Sequence, residues 1–493
     1  MTLKLSDVQG LPAGALLNEN KKSGYIQVYK YEYEIDEETG SKKRIRISLG
    51  NVVRNRFVPS PQYQLRLDLE RLEAENKLLK QKLSGTIIPP VEVAGQAAAV
   101  GASVSKAVQK AKLSGTKKTS VDVTALATVA LFSALTGESD AVSIEQYSKT
   151  YCEFFHKTMP QLKLEGFSHD TVRRLLLLID PNEFDQFYSQ MTLPLVREQA
   201  GRIIAADGQA VRATALTDNS DGQPHSAYYL MNLYDTASKV CLGHKIIDKK
   251  TNEITVGPQL VKGWDLHGCY VTADAMSCQI DFVNAVQKQG GGYLISLKGN
   301  QSKSFDEARE IFASAHCSHI YSSEERVELD HGRIETRKVY MVSGKFLSKT
   351  LRKKWAGLSE GSVLKMVKTV THKRSRKESF DESFYISSIA SMQENLPLVT
   401  RVIRNHWGIE NNLHWMLDMY WQQDRIQASN PNYISNRCAL NKMALAYLEN
   451  YRYWLWENKR IKSEDDISIR SLQIKCRKPE IALECIAAGL GFI

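Results

Sequence analysis

Asp207 closes the short apolar run Arg202–Ala206 (RIIAA), and Asp274 closes Tyr270–Ala273 (YVTA). Each reads as an acid at the C-terminal end of a buried strand. A third carboxylate, Glu410, falls in Arg404–Asp418 (RNHWGIENNLHWMLD), a stretch with helical periodicity. Two strand-end acids joined by one from a helix could hold a pair of Mg2+ ions. Hard divalent ions take oxygen ligands and leave positions for phosphate and water. Such a pair activates the attacking oxygen and stabilises the leaving oxygen of an in-line phosphoryl transfer. Spacing alone is weak support, because the chain has 55 acidic residues and a strand-end Asp is commonly a turn or cap.

Around these acids lie candidates for phosphate contacts. Arg333 and Arg337 alternate on one face of HGRIETR, and their rival role is an internal ion pair with Glu335 or Glu328. Lys298 follows the strand-like Tyr293–Leu297, where a turn at Gly299-Asn300 is the competing reading. His406 sits one helical turn before Glu410 and His414 one turn after, which puts the three on one face. His414 and Asp418 are spaced as a metal pair, but without HExxH or a Cys partner they argue against zinc. Trp407 and Trp415 read as core packing.

The elements that must position these residues follow from pattern. Residues 1–63 read as a small β-rich module for DNA or protein binding, with Lys42, Lys43, Arg44 and Arg46 on its second strong strand. Leu65, Leu69, Leu72, Asn76, Leu79 and Leu83 form a heptad over 64–83, and Asn76 suits a parallel two-stranded coiled coil. Residues 84–120, rich in Gly, Ala, Ser and Lys with Pro89-Pro90, read as a flexible basic linker. Helical periodicity returns over 121–200, with Ser168 and Asp180 as helix starts. From Arg202 the chain alternates strands and helices, and 320–345 and 362–390 are mostly strand-like. Leu396–Trp421 reads as one long helix, and the tail to 493 as helical and basic.

Composition narrows the class. Hydrophobic residues at 43% and charged residues at 24% fit a globular chain of several domains. The 65 Lys+Arg against 55 Asp+Glu leave +10, which suits a polyanion partner. Eight Cys without a CxxC pair argue against a disulfide framework and a zinc ribbon. No signal peptide and no apolar run near 20 residues is seen, so the expectation is a soluble, reduced, cytoplasmic protein without a membrane partner.

Several ordered blocks carry a resemblance. They are SHDTVRR with LIDPNEF (Ser168–Phe184), ADGQAVR (Ala206–Arg212), TADAMSCQ (Thr272–Gln279), GYLISLKGNQ (Gly292–Gln301), HGRIETR (His331–Arg337) and Arg404–Asp418 with Asp424-Arg425. From about Val121 to Asn450 the chain resembles the DDE transposases of bacterial insertion sequences, in their H-repeat-associated (ISAs-type) branch. The resemblance implies an α/β fold with a ribonuclease H-like core, its first part at 201–300, a β-rich insertion at 301–395 and the Glu410 helix at 396–493. It implies Asp207, Asp274 and Glu410 as the catalytic, metal-holding triad, with two Mg2+ ions and Mn2+ as a substitute. Lys298, Arg333, Arg337, Arg404 and His406 become the expected nucleic-acid contacts. The implied partners are double-stranded DNA, at element ends and target, and a second copy of the chain. No small-molecule substrate is implied.

The implied function is binding the element's inverted repeats, cutting at its ends and joining them to target DNA. The alternatives are a domesticated site-specific DNA-binding protein and a nuclease of the same fold without strand transfer. Gln209 stands where the family usually has Lys, and Arg212-Ala213 where it has Arg-Gly. Ile403, His406 and Leu417 depart from the Tyr-Arg-Glu-Lys signature of related transposases, which leaves a hairpin route without support.

Overall fold

The computed structural model describes residues 8–20, 25–35, 42–53, 56–61, 63, 64, 67, 93–113, 122–162, 166–216, 226–247, 253–314, 320–330, 333–373 and 377–493. The chain divides into two compact units, Met1–Pro89 and Pro90–Ile493. In the first, β1 (Leu16–Asn20), β2 (Tyr25–Ile35), β3 (Lys42–Val53) and β4 (Arg56–Pro59) form an antiparallel meander. Strand alternation sends Leu17, Val28, Ile47, Val52 and Phe57 to one side, where they pack with Ala15 and Leu49. Apart from Leu67, the heptad Leu65–Leu83 lies outside the described residues.

The second unit is built on one mixed sheet. Its strands are β5 (Arg202–Val211), β6 (Tyr228–Asp235), β7 (Val240–Ile247), β8 (Cys269–Ala273), β9 (Gly292–Leu297), β10 (Tyr321–Ser322), β11 (Arg326–Asp330), β12 (Arg333–Ser343), β13 (Ser362–His372) and β14 (Glu378–Ser387). The order is β10-β12-β13-β14-β9-β8-β5-β6-β7, with β11 paired to β12. Strands β5, β6 and β7 are antiparallel neighbours, while β8 and β9 continue the sheet parallel to β5. Strand β14 then joins β9 antiparallel, so β10–β14 extend the same sheet.

Both faces of the sheet are covered, which is why RIIAA and YVTA are apolar throughout rather than alternating. On one face Ile204, Val271 and Ile295 pack with Val256, Leu260, Phe282, Val286 and Trp355 from helices and turns. On the other, Ile203, Leu294, Met341 and Leu364 meet Val399, Val402 and Ile403 of the helix Leu396–Ile409. A helical layer centres on the 27-residue Pro431–Glu457, which starts with Pro after an Asn430 cap. Ser168 and Asp180 cap the helices His169–Leu178 and Pro181–Thr192. No helix among the described residues is long and apolar enough to cross a membrane.

Two expectations are corrected. Residues 93–110 form an 18-residue helix rather than a flexible linker. The small-residue composition conceals a period: Ala97, Val100, Val104 and Ala107 recur every three or four positions and are all buried. The helix packs on Pro181–Thr192 and Pro479–Gly489. The stretch from Leu396 to Trp421 is also not a uniform α-helix. It widens into a π turn over Glu410–His414 before resuming at Trp415–Trp421.

Candidate active site

The parallel register of β5 and β8 pairs Ala206 with Ala273. Asp207 and Asp274 therefore follow at the same level on adjacent strands, whose spacing is about 4.8 Å. Asp274 Oδ1 accepts a hydrogen bond from the Ser277 amide at 3.2 Å, which ties the carboxylate into the turn after β8. That turn is anchored from the end of β9. Asn300 Nδ2 donates to Ala275 O, and Gln301 Nε2 donates to Cys278 O at 2.9 Å.

The Leu396–Trp421 helical stretch packs on β5 and β8. Its two histidines turn inward on either side of an exposed Glu410. His414 Nδ1 lies 3.6 Å from Asp207 Oδ2. Its Nε2 lies 3.1 Å from Asn232 Nδ2, on the residue that pairs with Asp207 across β5 and β6. Asn232 Nδ2 also donates to Leu230 O, so the amide is oriented as a donor and His414 Nε2 accepts. The imidazole hydrogen is then on Nδ1, facing Asp207. Burial, reinforced by Lys442 and His406, pushes His414 down to about 3. The ring is neutral at neutral pH, so its approach to Asp207 is a polar contact rather than an ion pair. Burial also depresses His406, while the charge of Asp274 pulls it back up.

The π turn sits between these histidines. Its i→i+5 bond runs from the Trp415 amide to Glu410 O. One wider turn changes the angular relation of His406, Glu410 and His414 from the single face that 3.6-residue periodicity predicts. Among the described residues, no three or more His, Cys, Asp or Glu side chains converge as a metal-holding group.

Beneath Asp207 runs a chain of amides that the sequence does not announce. Gln209 Nε2 donates to Asp418 Oδ1 at 2.9 Å and to His414 O at 3.3 Å. Gln209 Oε1 accepts from Gln423 Nε2 at 2.8 Å, and Gln423 Oε1 accepts from Asn441 at 3.3 Å. Burial and the neighbouring Asp424 raise Asp418 to about 6, against the pull of Arg212 and Gln209. Gln209, a departure from the family pattern, thus clamps β5 to the helix that carries Glu410. The signal in sequence was only the position of Gln209, two residues after Asp207.

The candidate phosphate contacts fall into two groups. Arg337 is held internally, with Nη1 2.6 Å from Glu328 and Nη2 on Glu335. For this residue the ion-pair alternative is the one present. Arg404 reaches the same Glu328 at 3.0 Å and remains half exposed. Arg333 lies 3.6 Å from Glu335, which Lys368 also approaches at 3.3 Å. Lys298 is exposed where β9 ends. Trp407 and Trp415, read as core, are 54% and 52% exposed.

Asp207, inside β5, and Asp274, just past β8, thus lie side by side, and the helical stretch that carries Glu410 packs against their strands. Residues 198–448 match the family model described as the transposase DDE domain, about half of the chain. The chain belongs to this family. It is similar to the H repeat-associated putative transposase YhhI of Escherichia coli (strain K12), 28% identical over 337 residues covering 67% of this chain and 84% of the relative. It is likewise similar to the H repeat-associated putative transposase YbfD of the same strain, 32% identical over 222 residues, 44% of this chain and 83% of the relative. Among solved structures, a piggyBac transposase synaptic complex with hairpin DNA aligns over 81% of this chain and 80% of that one, at 10% identity and a TM-score of 0.35. That superposition is too loose to carry an argument.

Proposed function

We propose that this transposase binds the inverted repeats of its own element, hydrolyses the phosphodiester bonds at the ends and joins the 3′-OH ends to target DNA. One observation carries the reading. Asp207 within β5 and Asp274 just past β8 stand at one level on adjacent parallel strands, and the helix holding Glu410 brings His414 to the first. Three antiparallel strands continued by two parallel ones support a ribonuclease H-like core. The donor set suits a hard divalent ion, being carboxylate oxygen on two neighbouring strands, within β5 and just past β8, and on the helix that packs against them.

When bound, Mg2+, or Mn2+ in its place, supplies charge neutralisation and activation of the attacking oxygen. Asp207 and Asp274 would hold it, and Glu410 would complete the set. The His414 Nδ1 hydrogen orients Asp207, leaving the other carboxylate lone pairs for the ion. Asn300 and Gln301 fix the turn that begins with Asp274. Lys298, Arg333 and Arg404 draw the DNA backbone to the strand ends. Arg337 braces Arg404 through Glu328 and Arg333 through Glu335 rather than meeting phosphate directly. Joining two ends needs two such sites, so the working form on DNA contains at least two chains.

Asp207→Asn, Asp274→Asn and Glu410→Gln should each lower cleavage of repeat-bearing duplex DNA in Mg2+ by about 10³-fold or more. Binding of the same DNA should hold or tighten slightly, since a lost carboxylate repels phosphate less. Undiminished cleavage by any one variant would remove that residue from the site.

A further inference from the structure

The first unit presents a sheet face that the transposition chemistry leaves unused. Tyr29, Tyr31 and Tyr33 of β2 share this face with Lys42, Arg44 and Arg46 of β3, through the pairs Tyr31↔Arg46, Tyr33↔Arg44 and Ile35↔Lys42. The Arg44 guanidinium lies over the Tyr31 ring, 3.5 Å from its centroid. That of Arg46 lies over Tyr29 at 3.9 Å. Gln27 accepts from Arg46 at 3.1 Å and donates to Ser48 at 3.1 Å, so the arginine is fixed over its ring. Tyr33 is 63% exposed at the end of the row.

Charge is segregated between the two sides of the sheet. The opposite side holds the small core, together with Lys30 and Glu32, which pair at 2.6 Å. By strand alternation, no described residue of β1–β4 places a carboxylate on the tyrosine side, while Arg56 adds a fourth cation there. A solvated face with no partner usually mixes both signs. Among the described residues, this one pairs flat stacking groups with positive charge that no carboxylate on the same face opposes.

We propose that this face binds single-stranded DNA, with unpaired bases stacking on the Arg–Tyr pairs and the backbone running along Lys42, Arg44, Arg46 and Arg56. Arginine planes and tyrosine rings are stacking surfaces for splayed bases. Side chains on one face recur every two residues, about 6.8 Å along a strand. That is roughly twice the 3.4 Å phosphate repeat per strand of duplex DNA, which suits a stretched single strand and not a stacked helix. The inference is independent of the carboxylate chemistry of the second unit.

The test uses the full chain and a fluorescein-labelled oligothymidine of about 16 nucleotides, followed by anisotropy, beside a duplex of equal length and unrelated sequence. The single strand should bind more tightly, and its affinity should fall with salt at a log–log slope of about −0.7 per phosphate contacted. The double variant Arg44→Lys/Arg46→Lys keeps the charge and loses the stacking planes. It should weaken single-strand binding about tenfold with the salt slope unchanged. Tyr33→Ala, at an exposed ring whose loss leaves the core intact, should weaken it about fivefold or more. Equal or tighter binding of the duplex would overturn the proposal. So would unchanged single-strand affinity in Tyr33→Ala and in a folded Arg44→Lys/Arg46→Lys chain.

Discussion

His414 shows how a residue near the reacting centre works through burial. Its ring is almost wholly enclosed, accepts from Asn232 and directs Nδ1 at Asp207. Because its folded pKa lies near 3, below the ordinary value of 6.5, the neutral form is favoured on folding. The stability it contributes is complete above pH 6.5 and is lost as pH falls from there toward 3. Denaturant unfolding at several pH values should show this, with a slope from this group of at most about 1.4 kcal/mol per pH unit. His414→Gln should flatten that decline and still accept from Asn232. An unchanged pH profile in the variant would mean the imidazole is solvated. Sequence showed His414 as a helix neighbour of Glu410, but its burial and its Asn232 partner are separated from it by 182 positions.

At the scale of elements, the π turn and the first helix of the second unit carry testable weight. A π turn is an α-helix with one residue too many, retained where the extra residue aims a side chain. Deleting Asn411 should turn the i→i+5 bond into an i→i+4 one, leave Trp415–Trp421 in phase with the sheet and re-aim the side chains of the widened turn, Glu410 among them. Cleavage should drop by about 10²-fold or more, as expected for a misplaced catalytic group, while duplex binding persists. Wild-type cleavage by that variant would make the widening incidental. The helix Val93–Lys110 leads to a different expectation. A chain beginning at residue 91 should unfold with the stability of the whole second unit. One beginning at residue 121 should lose about 3 kcal/mol or more, because Val100 and Val104 alone bury two valine side chains. Equal unfolding midpoints would show that this helix contributes nothing to the core.

For the whole molecule the question is assembly. On the proposed function one chain supplies one set of Asp207, Asp274 and Glu410, while two element ends have to be joined. The heptad Leu65–Leu83 is the interface that sequence periodicity proposes, with Asn76 selecting a parallel pair. Three heptads are marginal by themselves, so pairing is expected to strengthen when DNA brings two chains together. Leu72→Lys with Leu79→Lys should abolish paired-end complexes in a gel-shift assay while leaving single-end binding within about threefold. Normal paired-end assembly in that variant would move dimerisation to the second unit.

What the sequence determined by itself was local. A short apolar run marks a strand buried on both faces, so Asp274 could be placed at the end of its strand from a few residues. Asp207, read as a strand end, lies inside β5 because pairing with β6 carries that strand on to Val211. Val240–Ile247 and Cys269–Ala273 are strands where alternation and β-branching put them. Ser168 and Asp180 cap helices because capping needs only a side-chain oxygen and the next turn. The tertiary structure decided whatever depends on residues distant in the chain. Whether Arg337 faces phosphate or Glu328 turns on β11 folding beside β12. Whether Gln209 is a loop residue or a clamp turns on Asp418 and Gln423, more than 200 positions away. The Ala- and Val-rich segment at 93–110 is a helix because other helices cover its small-residue stripe, and composition carries no record of what will cover it. Periodicity is written in neighbours, whereas partners are chosen by the fold.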